Sequence, residues 1–153
     1  MPRTNTFRNM FNLEHFLKIE TAFRKHFDLA LETIDLHGKQ ISSHCSPDCQ
    51  TTFCKLVCSI KAGQKRCIQD RIRNMHMAFE TGQPYTTFCH AGIMVSCVPV
   101  MNNDVLLGGI LLGKCLSERF GPVIEEDLKK RLLKLRIKKN ELFSAAWRLP
   151  ANH

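Results

Sequence analysis

The sequence predicts a single α+β domain, an antiparallel β-sheet flanked by α-helices, spanning 1–153 with its core over about 13–149. Three observations predict it. Apolar residues recur every three or four positions in two stretches, Phe16-Ile19-Phe23-Phe27 and Ile68-Ile72-Met75-Phe79, which is helical spacing. Two polar turn signals, Asp35-Leu36-His37-Gly38-Lys39 and Met101-Asn102-Asn103-Asp104, separate runs rich in β-formers. A chain of 153 residues with 44% hydrophobic and 24% charged residues has the composition and size of one globular domain.

The elements follow in order. A helix is expected from about Leu13 to Phe23, capped by Asn12, whose short side chain can accept the first orphan N–H groups. A strand from about Asp28 to Asp35 is expected next. Gly38 supplies a positive φ for the tight turn, and Gln40 to Ser43 starts the return strand. Ser43 to Thr52 is loop. Phe53 to Ile60 forms a short helix ended by Ala62-Gly63, and Lys65 to Thr81 a second, placing Cys67 in its first turn and ending at Gly82 and Pro84. Pro84 to Pro99 reads as strands with a turn at Ala91-Gly92, so the adjacent Cys89 and His90 are expected on opposite faces. Val105 to Lys114 reads as a strand whose glycines mark bulges or close backbone approach. Acidic Glu125-Glu126-Asp127 open a helix that Lys129 to Lys134 close, in accord with the helix dipole, and a last helix covers about Asn140 to Arg148.

The N-terminus carries no apolar signal segment, and the longest apolar run, Val105 to Leu112, falls far short of the roughly 20 residues of a membrane span. A cytoplasmic protein without membrane contact is expected. In a reducing compartment, clustered cysteines point to metal or redox chemistry before disulfides. Six of the eight cysteines lie between Cys45 and Cys89, and His90 follows Cys89 directly. Cys97 and Cys115, in apolar strand-like runs, read as core. The net charge of +8 lies largely in the block Lys129 to Lys139, a solvated helix face or, alternatively, a DNA-binding surface.

Three blocks carry a resemblance to a known family: Phe53-Cys54 with Gly63, Arg66-Cys67 and Asp70; Gly82-Gln83-Pro84 leading to Phe88-Cys89-His90-Ala91-Gly92-Ile93 and Pro99-Val100; and Leu107-Gly108-Gly109 leading to Leu112-Gly113. The chain resembles the PocR sensory-domain family, a PAS-like ligand-binding fold, over about 13–149, its tail Leu135 to Ala146 included. The resemblance implies a non-catalytic sensor of small hydrocarbon-like or diol-like molecules, working as a homodimer with a signalling partner or DNA-binding protein in signal transduction or transcription regulation. With no helix-turn-helix or kinase segment attached, the chain reads as a stand-alone sensor or an excised domain. The family positions are Cys54, Cys67 and Cys89; Cys45, Cys49, Cys58, Cys97 and Cys115 are additional.

Cys54, Cys67 and Cys89 are separated by 12 and 21 residues, so they would have to converge from separate elements. With His90, or with Cys58 or Cys45, they form a candidate set of ligands for zinc or an iron–sulfur cluster, since thiolates suit both. Lys55, Lys61, Lys65 and Arg66 would favour the thiolates. Otherwise the expected occupant is a small organic ligand between sheet and helices, with Phe53, Tyr85, Phe88, His90, Met94 and Trp147 as candidate lining residues. A cysteine-dependent enzyme built on Cys89 and His90 is the weaker alternative, because a catalytic pair needs hydrogen-bond reach.

Overall fold

The computed structural model describes residues 12–41 and 52–151. Helix α1 (Leu13–Phe27) opens at Asn12, whose Oδ1 accepts the N–H groups of Glu14 and His15 at 3.1 and 3.3 Å. It runs four residues beyond the predicted end, because the rings of Phe23 and Phe27 stack 4.7 Å apart and Asp28, left-handed at φ 53°, closes the last turn. Strand β1 (Ala30–Asp35) therefore starts later than predicted. The turn after it forms as expected. Asp35 Oδ1 accepts from His37 and Lys39 N–H, both at 2.9 Å, and Gly38 sits at φ 70°. The return strand is not present as a strand among the described residues; Gln40 makes an isolated bridge to Ile34, and residues 42–51 lie outside them.

Helix α2 (Thr52–Ser59) and helix α3 (Lys61–Thr81) meet at Ile60, the extended residue that precedes α3. Gly63 does not break a helix. It lies in the first turn of α3, where a Cβ would stand 2.2 Å from the Val57 carbonyl oxygen. Glycine here lets two helices approach closely. One consequence corrects the sequence reading: Cys67 sits in the second turn of α3, not the first.

Strands β2 (Tyr85–Phe88), β3 (Met94–Asn102) and β4 (Val105–Cys115) complete an antiparallel sheet of order β1-β4-β3-β2. The β3–β4 hairpin turns on Asn103 and Asp104, at φ 46° and 65°, the left-handed pair that a two-residue connection needs. Bulges fall between Met94 and Val95 and between Val100 and Met101. Helix α4 (Pro122–Leu132), a 3₁₀ turn (Leu133–Leu135) and helix α5 (Lys139–Trp147) follow. The fold is the expected α+β, PAS-like antiparallel sheet with flanking helices.

Two apolar cores result. One packs Met75 and Ala78 of α3 on Ile34, Val95, Cys97 and Leu111 of the sheet. Gly109 makes room for it, since a Cβ there would lie 3.1 Å from Cys97 Sγ. The other gathers Phe53 and Val57 of α2, Ile93, Leu116, and the inner faces of α4 and α5 around Leu128, Leu142 and Ala146. Leu116 N–H donates to Pro150 O at 2.8 Å, so the C-terminal segment is tied to the end of β4. The basic block on α4 is laced by i,i+4 pairs, Lys129–Glu125 at 2.9 Å and Arg131–Asp127 at 2.7 Å. No helix among the described residues is long and apolar enough to cross a membrane.

Candidate functional site

Where the two cores meet, a cavity of about 60 Å³ remains. It is walled by Cys54 and Cys58 from α2, Cys67, Asp70, Arg71 and Asn74 from α3, Cys89 from the turn after β2, and Ile93, Val95, Leu111 and Lys114 from the sheet side. Cys67, Asp70, Arg71 and Asn74 stand at i, i+3, i+4 and i+7, so one helical stripe delivers all four.

The thiols are close neighbours. Cys58 Sγ and Cys67 Sγ are 3.6 Å apart, and Cys67 Sγ lies 3.2 Å from His90 Nε2. The shared contact with Cys67 draws the Cys58 thiol down to about 7, whereas Cys67 is pushed up by Cys58 and by burial. Burial, followed by the charge of Cys54, pushes Cys89 up to about 11. Burial also lowers His90, favouring the neutral ring.

Cys89 and His90 are not strand residues, as the sequence suggested. They sit in a turn closed by Cys89 N–H to Ile93 O at 2.9 Å and Gly92 N–H to Cys89 O at 2.8 Å, with Gly92 at φ 78°. Alternation of faces therefore does not apply. His90 N–H donates to Asp70 Oδ2 at 2.6 Å, and this bond holds the turn against α3.

Beneath the thiols lies a buried ionic group. Glu32 is fully buried and takes Arg71 Nη2 on Oε1 at 2.7 Å and Lys114 Nζ on Oε2. Burial alone would push the Glu32 carboxyl up; Lys114 and then Arg71 outweigh it and hold it below its usual range. Burial likewise works against the Lys114 ammonium, and Glu32 more than restores it, leaving Lys114 above its usual range. Arg71 Nη1 also donates to Gly38 O at 3.3 Å. Asn74, 1% exposed, is different: its Oδ1 has no hydrogen-bond partner among the described residues.

The residues predicted from sequence divide sharply. Cys54, Cys67 and Cys89 do share the cavity, with His90 against Cys67. Among the described residues, however, no three His, Cys, Asp or Glu side chains are arranged to hold a metal ion. Cys45, the alternative fourth ligand, lies outside the described residues, as does Cys49. None of Phe53, Tyr85, Phe88, His90, Met94 and Trp147 lines the cavity. Phe53 and Tyr85 pack in or against the cores, Phe88 is exposed, and Trp147 is 69% exposed with its edge on Phe120. Sequence reasoning missed Asp70, Arg71, Asn74 and Lys114 as a group. The one legible signal was the polar stripe that Asp70, Arg71 and Asn74 make beside Cys67 on α3.

The model for the sensory domain found in PocR matches residues 9–152, nearly the whole chain. The chain belongs to the PocR sensory-domain family. No curated protein and no solved structure matches it. As a PocR domain it is a sensing module, and four residues of its family blocks, Cys54, Cys67, Asp70 and Cys89, wall the cavity described above.

Proposed function

We propose that this PocR domain is a non-catalytic sensor whose ligand is a small polar organic molecule seated in the thiol-walled cavity. The observation that carries the reading is Asn74. A buried amide oxygen without a partner costs about 1–3 kcal/mol, and a ligand hydroxyl or amine donating to Oδ1 removes that cost. Glu32, Arg71 and Lys114 already satisfy one another, so they supply walls and field more than free contacts. Ile93, Val95 and Leu111 offer an apolar side for a short carbon chain.

Size sets the class. A cavity of about 60 Å³ equals the liquid volume of about two waters, and because covalently bonded atoms each take less space than separate waters, it admits a molecule of at most roughly four heavy atoms. At a ceiling of about −1.5 kcal/mol per heavy atom, binding is limited to roughly −6 kcal/mol, a Kd of tens of micromolar at best. Short alcohols and diols fit these limits. A hydrolytic role built on Cys89 and His90 is disfavoured by geometry: His90 Nε2 stands against the Cys67 sulfur, and among the described residues no hydrogen bond joins His90 to the Cys89 thiol. The sensor reports to a signalling or transcription-regulatory partner, and PAS-like fold analogy supports a homodimer.

The test is a thermal-shift panel of short alcohols, diols and aldehydes at millimolar concentration. A saturable rise in Tm is expected for at least one hydroxyl compound, and Asn74→Leu abolishes it while remaining folded. A panel without any shift, or a shift that survives Asn74→Leu, overturns the assignment.

A further inference from the structure

Cys58 is not among the family's cysteine positions, yet its sulfur stands 3.6 Å from that of Cys67. We propose that Cys58 and Cys67, both in the cavity wall, are a site of reversible oxidation by hydroperoxides, giving the domain a second, thiol-based input beside the cavity ligand.

Geometry carries the inference. The two sulfurs come from helices joined through Ile60, with Gly63 holding those helices at close approach. A disulfide needs about 2.05 Å between sulfurs, so the pair closes by only about 1.5 Å from its 3.6 Å separation. Both residues are half-buried, which admits a small oxidant and shields the product. His90 Nε2, 3.2 Å from Cys67 Sγ, is placed to accept that thiol's proton.

The chemistry balances with the peroxide as oxidant. The Cys58 sulfur attacks one peroxide oxygen; the O–O bond breaks, an alcohol or water leaves, and Cys58 becomes a sulfenic acid. The Cys67 sulfur then attacks the sulfenic sulfur, forming the S–S bond and breaking S–O. Its proton passes by way of His90 to the departing hydroxyl, which leaves as water. Two thiols lose two hydrogens overall, and the peroxide gains two electrons. A dithiol reductant reverses the step by thiol–disulfide exchange.

The experiment treats the reduced full chain with one equivalent of hydrogen peroxide, blocks remaining thiols and maps disulfides by peptide mass spectrometry. The expected product is a Cys58–Cys67 cross-link, formed equally in Cys54→Ser and Cys89→Ser. Cys67→Ser stops at a sulfenic acid on Cys58, captured by a 1,3-dione probe, and Cys58→Ser yields neither product. The wild-type map decides the question even where a variant fails to fold. A cross-link to Cys45, Cys49 or any other cysteine, over-oxidation of Cys58 without a disulfide, or stoichiometric zinc released on oxidation overturns the proposal.

Discussion

Replacing Lys114 with Met tests the electrostatics of the site most directly. The substitution keeps a long unbranched side chain but removes the ammonium from a carboxylate that is fully buried. Arg71 remains, holding one oxygen at 2.7 Å, and the other oxygen loses its cation. Removing one partner of a buried ion pair costs about 3–5 kcal/mol, because the surviving charge is stranded in a poorly solvating interior. For a domain of this length that is a fall in Tm of roughly 6–20 °C. The pH profile supplies the sign. Glu32 sits below its ordinary value, so its stabilisation is complete above about pH 4.3 and is lost as pH falls through the folded value. Lys114 sits above its ordinary value, so its share is complete below about pH 10.4 and is lost as pH rises through the folded value. The wild-type profile therefore has a plateau between the two. Lys114→Met erases the alkaline limb and moves the acid limb to higher pH, since burial then faces Arg71 alone. The assay is urea unfolding followed by circular dichroism from pH 3 to pH 11, on the single variants and on Glu32→Gln with Lys114→Met. The double variant is expected to cost less than the sum of the singles by up to about 3 kcal/mol. A single-variant cost under about 1 kcal/mol, or strict additivity, refutes the reasoning.

Gly63→Ala places a methyl where the Val57 carbonyl oxygen now stands at 2.2 Å, so α2 must shift; stability falls by about 1–3 kcal/mol, and oxidative cross-linking of Cys58 to Cys67 slows measurably. Asn74→Leu removes a buried amide oxygen that has no partner among the described residues, so chemical denaturation of the ligand-free protein should show no loss beyond about 1 kcal/mol, and a larger loss would show that the oxygen is already satisfied. Asn12→Ala removes the cap that serves Glu14 and His15 and costs about 1 kcal/mol, read from the urea midpoint, with no change in ligand response.

What the sequence disclosed, it disclosed through local chemistry. Asn12, Gly38 and the Asn103-Asp104 pair each act within a few residues of themselves, so their helix cap and turns were visible without any knowledge of the fold. Gly63 was misread because a glycine that breaks a helix and one that admits a neighbouring helix look identical until the neighbour is placed. Cys89 and His90 follow four strand-forming residues, and the hydrogen bond to Asp70 that bends them into a turn comes from 20 positions away. Glu32 and Lys114 are separated by 82 residues and meet only because β1 pairs with β4. The aromatic residues expected to line a pocket stand away from this cavity, Phe53 and Tyr85 in or against the cores where large apolar rings gain most, and its wall is thiols, an amide, charged groups and the aliphatic Ile93, Val95 and Leu111.

The hydrogen bond from Leu116 to Pro150 ties the C-terminal segment to the strand that carries Lys114. Lys114 forms part of the cavity wall, and Leu116, two residues along the same backbone, is clasped by the C-terminal segment. The C-terminal segment is thus anchored two residues from a side chain of the cavity wall, and the exchange rate of the Leu116 amide proton, compared with and without an added small alcohol, measures whether wall and anchor move together.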